Sequence, residues 1–198
     1  MNAAWIDLYW LPLGAGGRCV GWNGRIYERA VAARQRRTPC DLYHSALQIH
    51  SGGVTHAVEM GPVWNVASGR GVLCEGPVGA RVLGRFRAFR YEVRCWPGGS
   101  IPDLDEAVGG PQRVSEDPAQ VAAVLALLPQ VPPLTWGRDE LGTGDMWNSN
   151  SLVAWALARS DLDMNAITPP PSGIAPGWLA GLRLAERQRN AHPVLRPG

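Results

Sequence analysis

Two short segments of the chain carry the residue types that nucleophilic catalysis requires. Ser149 lies in Asn148-Ser-Asn-Ser151, directly before an apolar run, so the pattern predicts the first turn of a buried helix. His44 lies much earlier, in an alternating apolar segment that predicts a β-strand. A serine hydroxyl reacts only when a base removes its proton, and histidine is the usual base. The two segments therefore predict a serine nucleophile, Ser149, with His44 as its base.

A third polar group would orient the histidine ring, and two residues compete for this role. His56 and Glu59 both follow the Ser51-Gly-Gly turn, on the strand predicted to pair with that of His44. A shift of one residue in the pairing would exchange which of them faces the same way as His44. The pattern leaves this choice open. Free backbone N–H groups of Ser149 and its neighbours would stabilise an oxyanion at the helix N-terminus.

Simpler interpretations exist for each of these residues. Serine is common as a helix N-cap, and Asn148, Asn150 and Ser151 compete with Ser149 for that role. His44 could be a hydrogen-bonded structural residue of its strand. His44, His50 and His56 would be spread along one hairpin without carboxylate support, so we expect no metal site.

The elements that must position these residues can be read from periodicity and turn signals. Leu42–His50 and Val54–Met60 predict a hairpin across Ser51-Gly-Gly. Asp117 as N-cap and Pro118 at the first helical position begin a helix that Pro129 ends. Further predicted elements are strands at Trp5–Leu13, Cys19–Trp22, near Val72 and at Arg85–Trp96, a helix at Arg25–Arg37, and a terminal helix or strand at Trp178–Arg187. Together they predict an α+β fold, in which an antiparallel sheet or partial barrel packs against the central Ser149 helix.

Length and composition set limits on function. The 198 residues fit one domain, 1–190, and we expect a flexible tail at 191–198. All 19 basic side chains are arginine, which excludes a Schiff-base lysine, a Ser-Lys dyad and a phosphate-loop lysine. The net charge of +2 is too small to argue for nucleic acid, and the alternation of Arg85–Trp96 explains its arginines better as a half-exposed strand.

The sequence also allows predictions of the cellular location and of the ligands. No run of about 20 apolar residues could span a membrane, and the first residues lack a signal-peptide pattern. We therefore expect a cytoplasmic protein with free thiols, no cofactor, and a small-molecule or peptide substrate. Its oligomeric state is left open. Residues near the predicted site that we expect to contact the substrate are Trp64, Trp147, Asn148 and Asn150.

The order of the two segments resembles the permuted papain-like superfamily of NlpC type. The resemblance is greatest to lecithin retinol acyltransferase-like proteins and to PPPDE peptidases, whose nucleophile segment has the form Asn-Cys-Asn-[Ser/Thr]. Asn148-Ser-Asn-Ser151 places Ser149 at the cysteine position, and Tyr43-His-Ser-Ala-Leu47 matches the hairpin histidine. In the acyltransferase branch a second polar residue follows about twelve residues later, which corresponds to His56. The resemblance covers roughly residues 41–161 in order and topology.

This resemblance implies a papain-like fold in circularly permuted order. With Ser149 in place of the thiol, it implies a hydrolase or acyltransferase acting on an ester or amide through a Ser-His dyad or triad. The alternative is a catalytically inactive papain-like domain that binds a small ligand or a protein partner.

Overall fold

A mixed α+β architecture is seen in the computed structural model, which describes residues 3–13, 36, 38–63, 71–101, 103–171 and 173–191. Its sheet has seven strands: β1 (Trp5–Pro12), β2 (Asp41–Ser51), β3 (Val54–Pro62), β4 (Val72–Pro77), β5 (Arg90–Pro97), β6 (Gln112–Ser115) and β7 (Gly173–Ile174). Their order is β4-β5-β3-β2-β1-β6, with β7 paired to β2, and the sheet is not closed. All pairs are antiparallel except the short pairing of β7 with β2. The α+β prediction is therefore confirmed, as an open sheet.

The predicted hairpin is present and its turn has a simple cause. Ser51 pairs with Val54, so only Gly52 and Gly53 lie in the loop. Both have positive φ (59° and 81°), the conformation that a two-residue turn of type I′ requires and that glycine adopts without strain. The predicted strand at Cys19–Trp22 and most of the predicted helix at Arg25–Arg37 lie outside the described residues.

Three α-helices lie within the described ranges. They are α1 (Pro118–Leu127), α2 (Ser149–Arg159) and α3 (Trp178–Ala191). The Asp117 side chain accepts a hydrogen bond from Ala119 N, and Pro118 occupies the first turn, as predicted. Helix α2 is buried along almost its whole length, which explains its apolar residues on every side. No described helix is long and apolar enough to cross a membrane.

The prediction of one half-exposed strand from Arg85 to Trp96 was wrong in two respects. Residues 81–89 form two 3-10 turns, and β5 begins only at Arg90. The charged face of β5 is also buried, since Glu92 and Arg94 are 2% and 3% exposed. Arg94 forms ion pairs with Glu92 and with Glu59 on the neighbouring strand. Alternation identified the two faces correctly, but the polar face is buried, and its charged side chains are held in ion pairs there.

The two faces of the sheet bury different clusters. The helices pack on the first face, which includes Leu8, Tyr43, Leu47 and Val58. The second face carries a smaller cluster of Tyr9, Leu11, Ala46, Ala57 and Ile101. Because strand side chains alternate, odd-numbered residues of β2 belong to the first face and even-numbered residues to the second.

Strands β2 and β3 separate before β2 reaches its N-terminal end. Their ladder runs only from Leu47–Val58 to Ser51–Val54, while β7 pairs with Asp41 and Leu42. No described strand pairs with β2 on this edge over residues 43–46. We call this stretch the sheet gap.

Candidate active site at the N-terminus of helix α2

Helix α2 begins with a complete capping box in which Ser149 takes no part. The Asn148 side chain accepts hydrogen bonds from the backbone N–H groups of Asn150 and Ser151, at 2.9 and 3.2 Å. In return, the Ser151 hydroxyl accepts one from Asn148 N at 3.0 Å. Asn148 is thus the N-cap, and the interpretation of Ser149 as a cap does not hold.

Asn148 and Ser151 also fasten the helix to the loop before α3. Asn148 Nδ2 donates to Pro176 O at 2.8 Å, and Ser151 Oγ lies 2.8 Å from Gly177 O. A Cβ on Gly177 would fall 2.2 Å from Asn148 Oδ1, and the φ of this glycine is +92°. Glycine is therefore required at 177 for both backbone conformation and space.

Asn150 joins the same helix end to the sheet gap. Its amide nitrogen donates to Tyr43 O at 2.9 Å and to Pro176 O at 2.8 Å, and its amide oxygen accepts from Ser45 Oγ at 2.8 Å. The residue is 1% exposed, so these bonds are made away from water. Since Tyr43 and Ser45 flank His44, this one amide fixes the histidine strand against the serine helix.

Ser149 is the remaining member of the motif, and its hydroxyl makes no hydrogen bond with the described part of the chain. The residue is 5% exposed, at the first position of the helix. Its backbone N–H is likewise unpaired within the described chain, whereas those of Asn150 and Ser151 are occupied by the cap. An oxyanion beside Ser149 would therefore find one free donor here rather than the several expected from a helix N-terminus.

His44 lies in the sheet gap, beside the helix end but with its side chain on the other face. Its ladder partner is Leu11, a residue of the second face, while Ser45 points toward α2. Burial lowers the pKa of His44 to about 4, although the residue as a whole keeps intermediate exposure. No hydrogen bond joins its ring to Ser149 or to any other residue that the structure describes. The imidazole is consequently neutral at pH 7.

The two candidates for the orienting group lie on opposite faces of β3. His56 pairs with Ile49, five residues along β2 from His44, which corresponds to about 16 Å at the usual rise of a strand. Its Nδ1 is buried without a partner among the residues that the structure describes. Glu59 shares the second face with His44, but its carboxylate forms an ion pair with Arg94 at 3.4 Å. Burial raises the pKa of Glu59 despite Arg94, and the nearby Asp103 adds to the rise. Neither residue forms a hydrogen bond or an ion pair with His44.

The residues expected to contact substrate have other neighbours in this structure. Trp147 is 1% exposed within the main core. Asn148 and Asn150 use their side chains to hold the backbone, so a contact of either with substrate stays a prediction. Trp64 lies outside the described residues. No three His, Cys, Asp or Glu side chains in the described ranges converge as metal ligands.

Asp145 is a site residue that the sequence reasoning missed. Its carboxylate accepts hydrogen bonds from Gly177 N at 2.7 Å and Leu179 N at 3.2 Å, and so caps helix α3. No sequence signal pairs an aspartate with a helix more than thirty residues away. Comparison of the chain with family models, curated proteins and solved structures finds no match.

Proposed function

We propose that this protein is a serine-dependent acyl-transfer enzyme, a hydrolase or transferase acting on an ester or amide, with Ser149 as nucleophile and His44 as base. The observation that carries the proposal is the difference in hydrogen bonding among the four side chains of Asn148-Ser-Asn-Ser151. Three of the four side chains make structural hydrogen bonds, whereas the Ser149 hydroxyl lies at the helix end and makes none with any residue that the structure describes. The residue is 5% exposed, and a hydroxyl that takes no part in holding the helix end is available for chemistry.

The reaction would proceed through an acyl-enzyme. Ser149 Oγ attacks the carbonyl carbon while His44 takes its proton, and the leaving group departs with that proton. Water or a second acceptor then takes the acyl group from Ser149. The free Ser149 N–H and the positive end of the helix would stabilise the oxyanion formed in both steps.

Strand alternation places Ser149 and His44 on opposite faces of the sheet, but in this proposal their side chains approach each other around the edge of β2 at the sheet gap. With no described strand pairing at residues 43–46, the edge of β2 is open where the end of α2 lies against it. The pair makes no hydrogen bond in this structure, so the proposal requires it to close when substrate binds. Catalytic hydrogen bonds commonly tighten only in the complex.

The proposed fold relationship is to the permuted papain-like superfamily, with serine at the cysteine position. The histidine strand precedes the nucleophile helix in the chain, and Asn150 brings the two into contact. A cytoplasmic location and a small-molecule or peptide substrate complete this proposal.

A fluorophosphonate probe, which labels activated serines, tests the assignment directly. We expect labelling of the wild-type protein and its loss in both Ser149→Ala and His44→Ala. Ser160→Ala is a matched control, since Ser160 is a similarly buried serine at the far end of α2. Labelling that survives in Ser149→Ala would refute the proposal.

A second candidate is a non-catalytic papain-like domain that binds a ligand or a protein partner. It is favoured by the missing Ser149–His44 hydrogen bond, and by the pKa of His44, which burial lowers and which no described carboxylate raises. This candidate predicts no covalent adduct in any variant. It also predicts that Ser149→Cys keeps an unreactive thiol, whereas an active site at a helix N-terminus would make that thiol alkylate rapidly at neutral pH.

A further inference from the structure

The connection between β4 and β5 displays an unusual surface. We name residues 81–89 the Arg-Phe segment; it comprises two 3-10 turns. Val82, Phe86 and Phe89 are 62%, 49% and 43% exposed. These are three of the seven large hydrophobic side chains exposed in the described chain, and they lie within eight residues of one another. Apolar side chains scattered singly need no explanation, whereas such a concentration indicates a contact surface.

The Arg-Phe segment is held firmly against the body of the protein. Gly79 N donates to Trp136 O at 2.9 Å just before the segment, and Arg90 Nε donates to Gly84 O at 2.5 Å within it. Arg81 forms an ion pair with Glu140 at 2.8 Å. The exposed apolar side chains are therefore presented by a fixed backbone rather than by a loose loop.

Charge accompanies these apolar groups. Arg85 and Arg87 are exposed, and neither forms an ion pair with a residue that the structure describes. The Arg85 guanidinium lies 4.8 Å from the centre of the Phe86 ring. Arg85 thus lies beside an apolar ring, and both arginines are exposed to an anion.

We propose that the Arg-Phe segment docks the protein on the surface of an anionic lipid bilayer. Val82, Phe86 and Phe89 would enter the boundary between headgroups and acyl chains, and Arg85 and Arg87 would contact lipid phosphates. This occupant satisfies both the apolar and the charged groups. Single-stranded nucleic acid fits less well, because the most exposed of the three apolar side chains, Val82, cannot stack with a base. The inference does not depend on the proposed catalytic activity.

Flotation of the full chain with vesicles tests this docking. We expect binding to phosphatidylcholine vesicles that contain phosphatidylserine, much weaker binding without phosphatidylserine, and weakening by salt. Arg85→Gln combined with Arg87→Gln should reduce affinity about thirtyfold, since each basic side chain near an anionic surface is worth about fivefold. Phe86→Ser combined with Phe89→Ser should reduce it at least as much.

Leu179→Ser and Arg183→Gln are matched controls, because these residues are similarly exposed on α3. They should leave vesicle binding unchanged, and circular dichroism should show that all variants remain folded. The proposal is overturned if the wild-type protein does not float with the anionic vesicles, or if both double variants bind like wild type. Tighter binding of a poly-uridylate oligomer through the same residues would also overturn it, as would self-association that the Phe86/Phe89 variant abolishes.

Discussion

Replacing His44 by glutamine should remove a large part of the pH dependence of stability. The pKa of this histidine falls from 6.5 to about 4 because burial disfavours the charged ring. The unfolded chain therefore binds a proton that the folded protein excludes between these pH values. The contribution of neutral His44 to the free energy of unfolding is therefore fully present above pH 6.5. It declines as the pH falls to about 4 and does not change further below that pH. At about 1.4 kcal/mol for each pH unit, the loss amounts to about 3 kcal/mol.

The measurement is the free energy of unfolding by urea, at steps between pH 7 and pH 4, for the wild-type protein and His44→Gln. Other groups titrate in both proteins, so the difference between the two curves isolates His44. We expect the wild-type protein to lose about 3 kcal/mol more than the variant over this range. An NMR titration of the His44 ring protons should give a midpoint near 4.

A constant difference between the two curves from pH 7 to pH 4 would refute the reasoning. It would mean that His44 titrates near its ordinary value, and hence that the ring is solvated. The same histidine serves the proposed mechanism, so the acid limb of any labelling or activity profile should also lie near pH 4 rather than 6.5.

Three further substitutions test the packing around the site by urea unfolding. Asn150→Ala should destabilise the protein by about 2–4 kcal/mol, because two backbone carbonyls and a serine hydroxyl lose a buried partner. A loss below about 0.5 kcal/mol would contradict the conclusion that Asn150 fixes the histidine strand against the helix. Gly177→Ala should lower the free energy of unfolding clearly more than Gly144→Ala does. Both glycines have positive φ, but only at 177 would a Cβ collide with Asn148. Equal losses of stability would mean that the predicted collision with Asn148 does not occur. Arg94→Met should destabilise the protein by about 3–5 kcal/mol at pH 7, because two carboxylates lose their counter-charge. The stability of the variant should partly recover at acidic pH. An unchanged stability would mean that the carboxylates are hydrated.

Local signals predicted several elements well, because their causes are local. The two glycines of the hairpin turn, the Asp117 cap with its following proline, and the apolar run of α2 each specify backbone geometry within a few residues. Alternation also separated the faces of β5 correctly. It could not show that the face of Glu92 and Arg94 is buried, since this depends on charge pairing with Glu59 from another strand.

For the site, the sequence by itself determined which residue types are present, that Ser149 begins a buried helix, and that His44 lies on a strand of a hairpin. Tertiary structure alone decided how they are used. Asn148 rather than Ser149 caps the helix, and Asn150 reaches the sheet gap because β3 leaves β2 beyond Leu47. The reason is physical: hydrogen bonds between distant segments, and the point at which two strands part, depend on how whole elements pack.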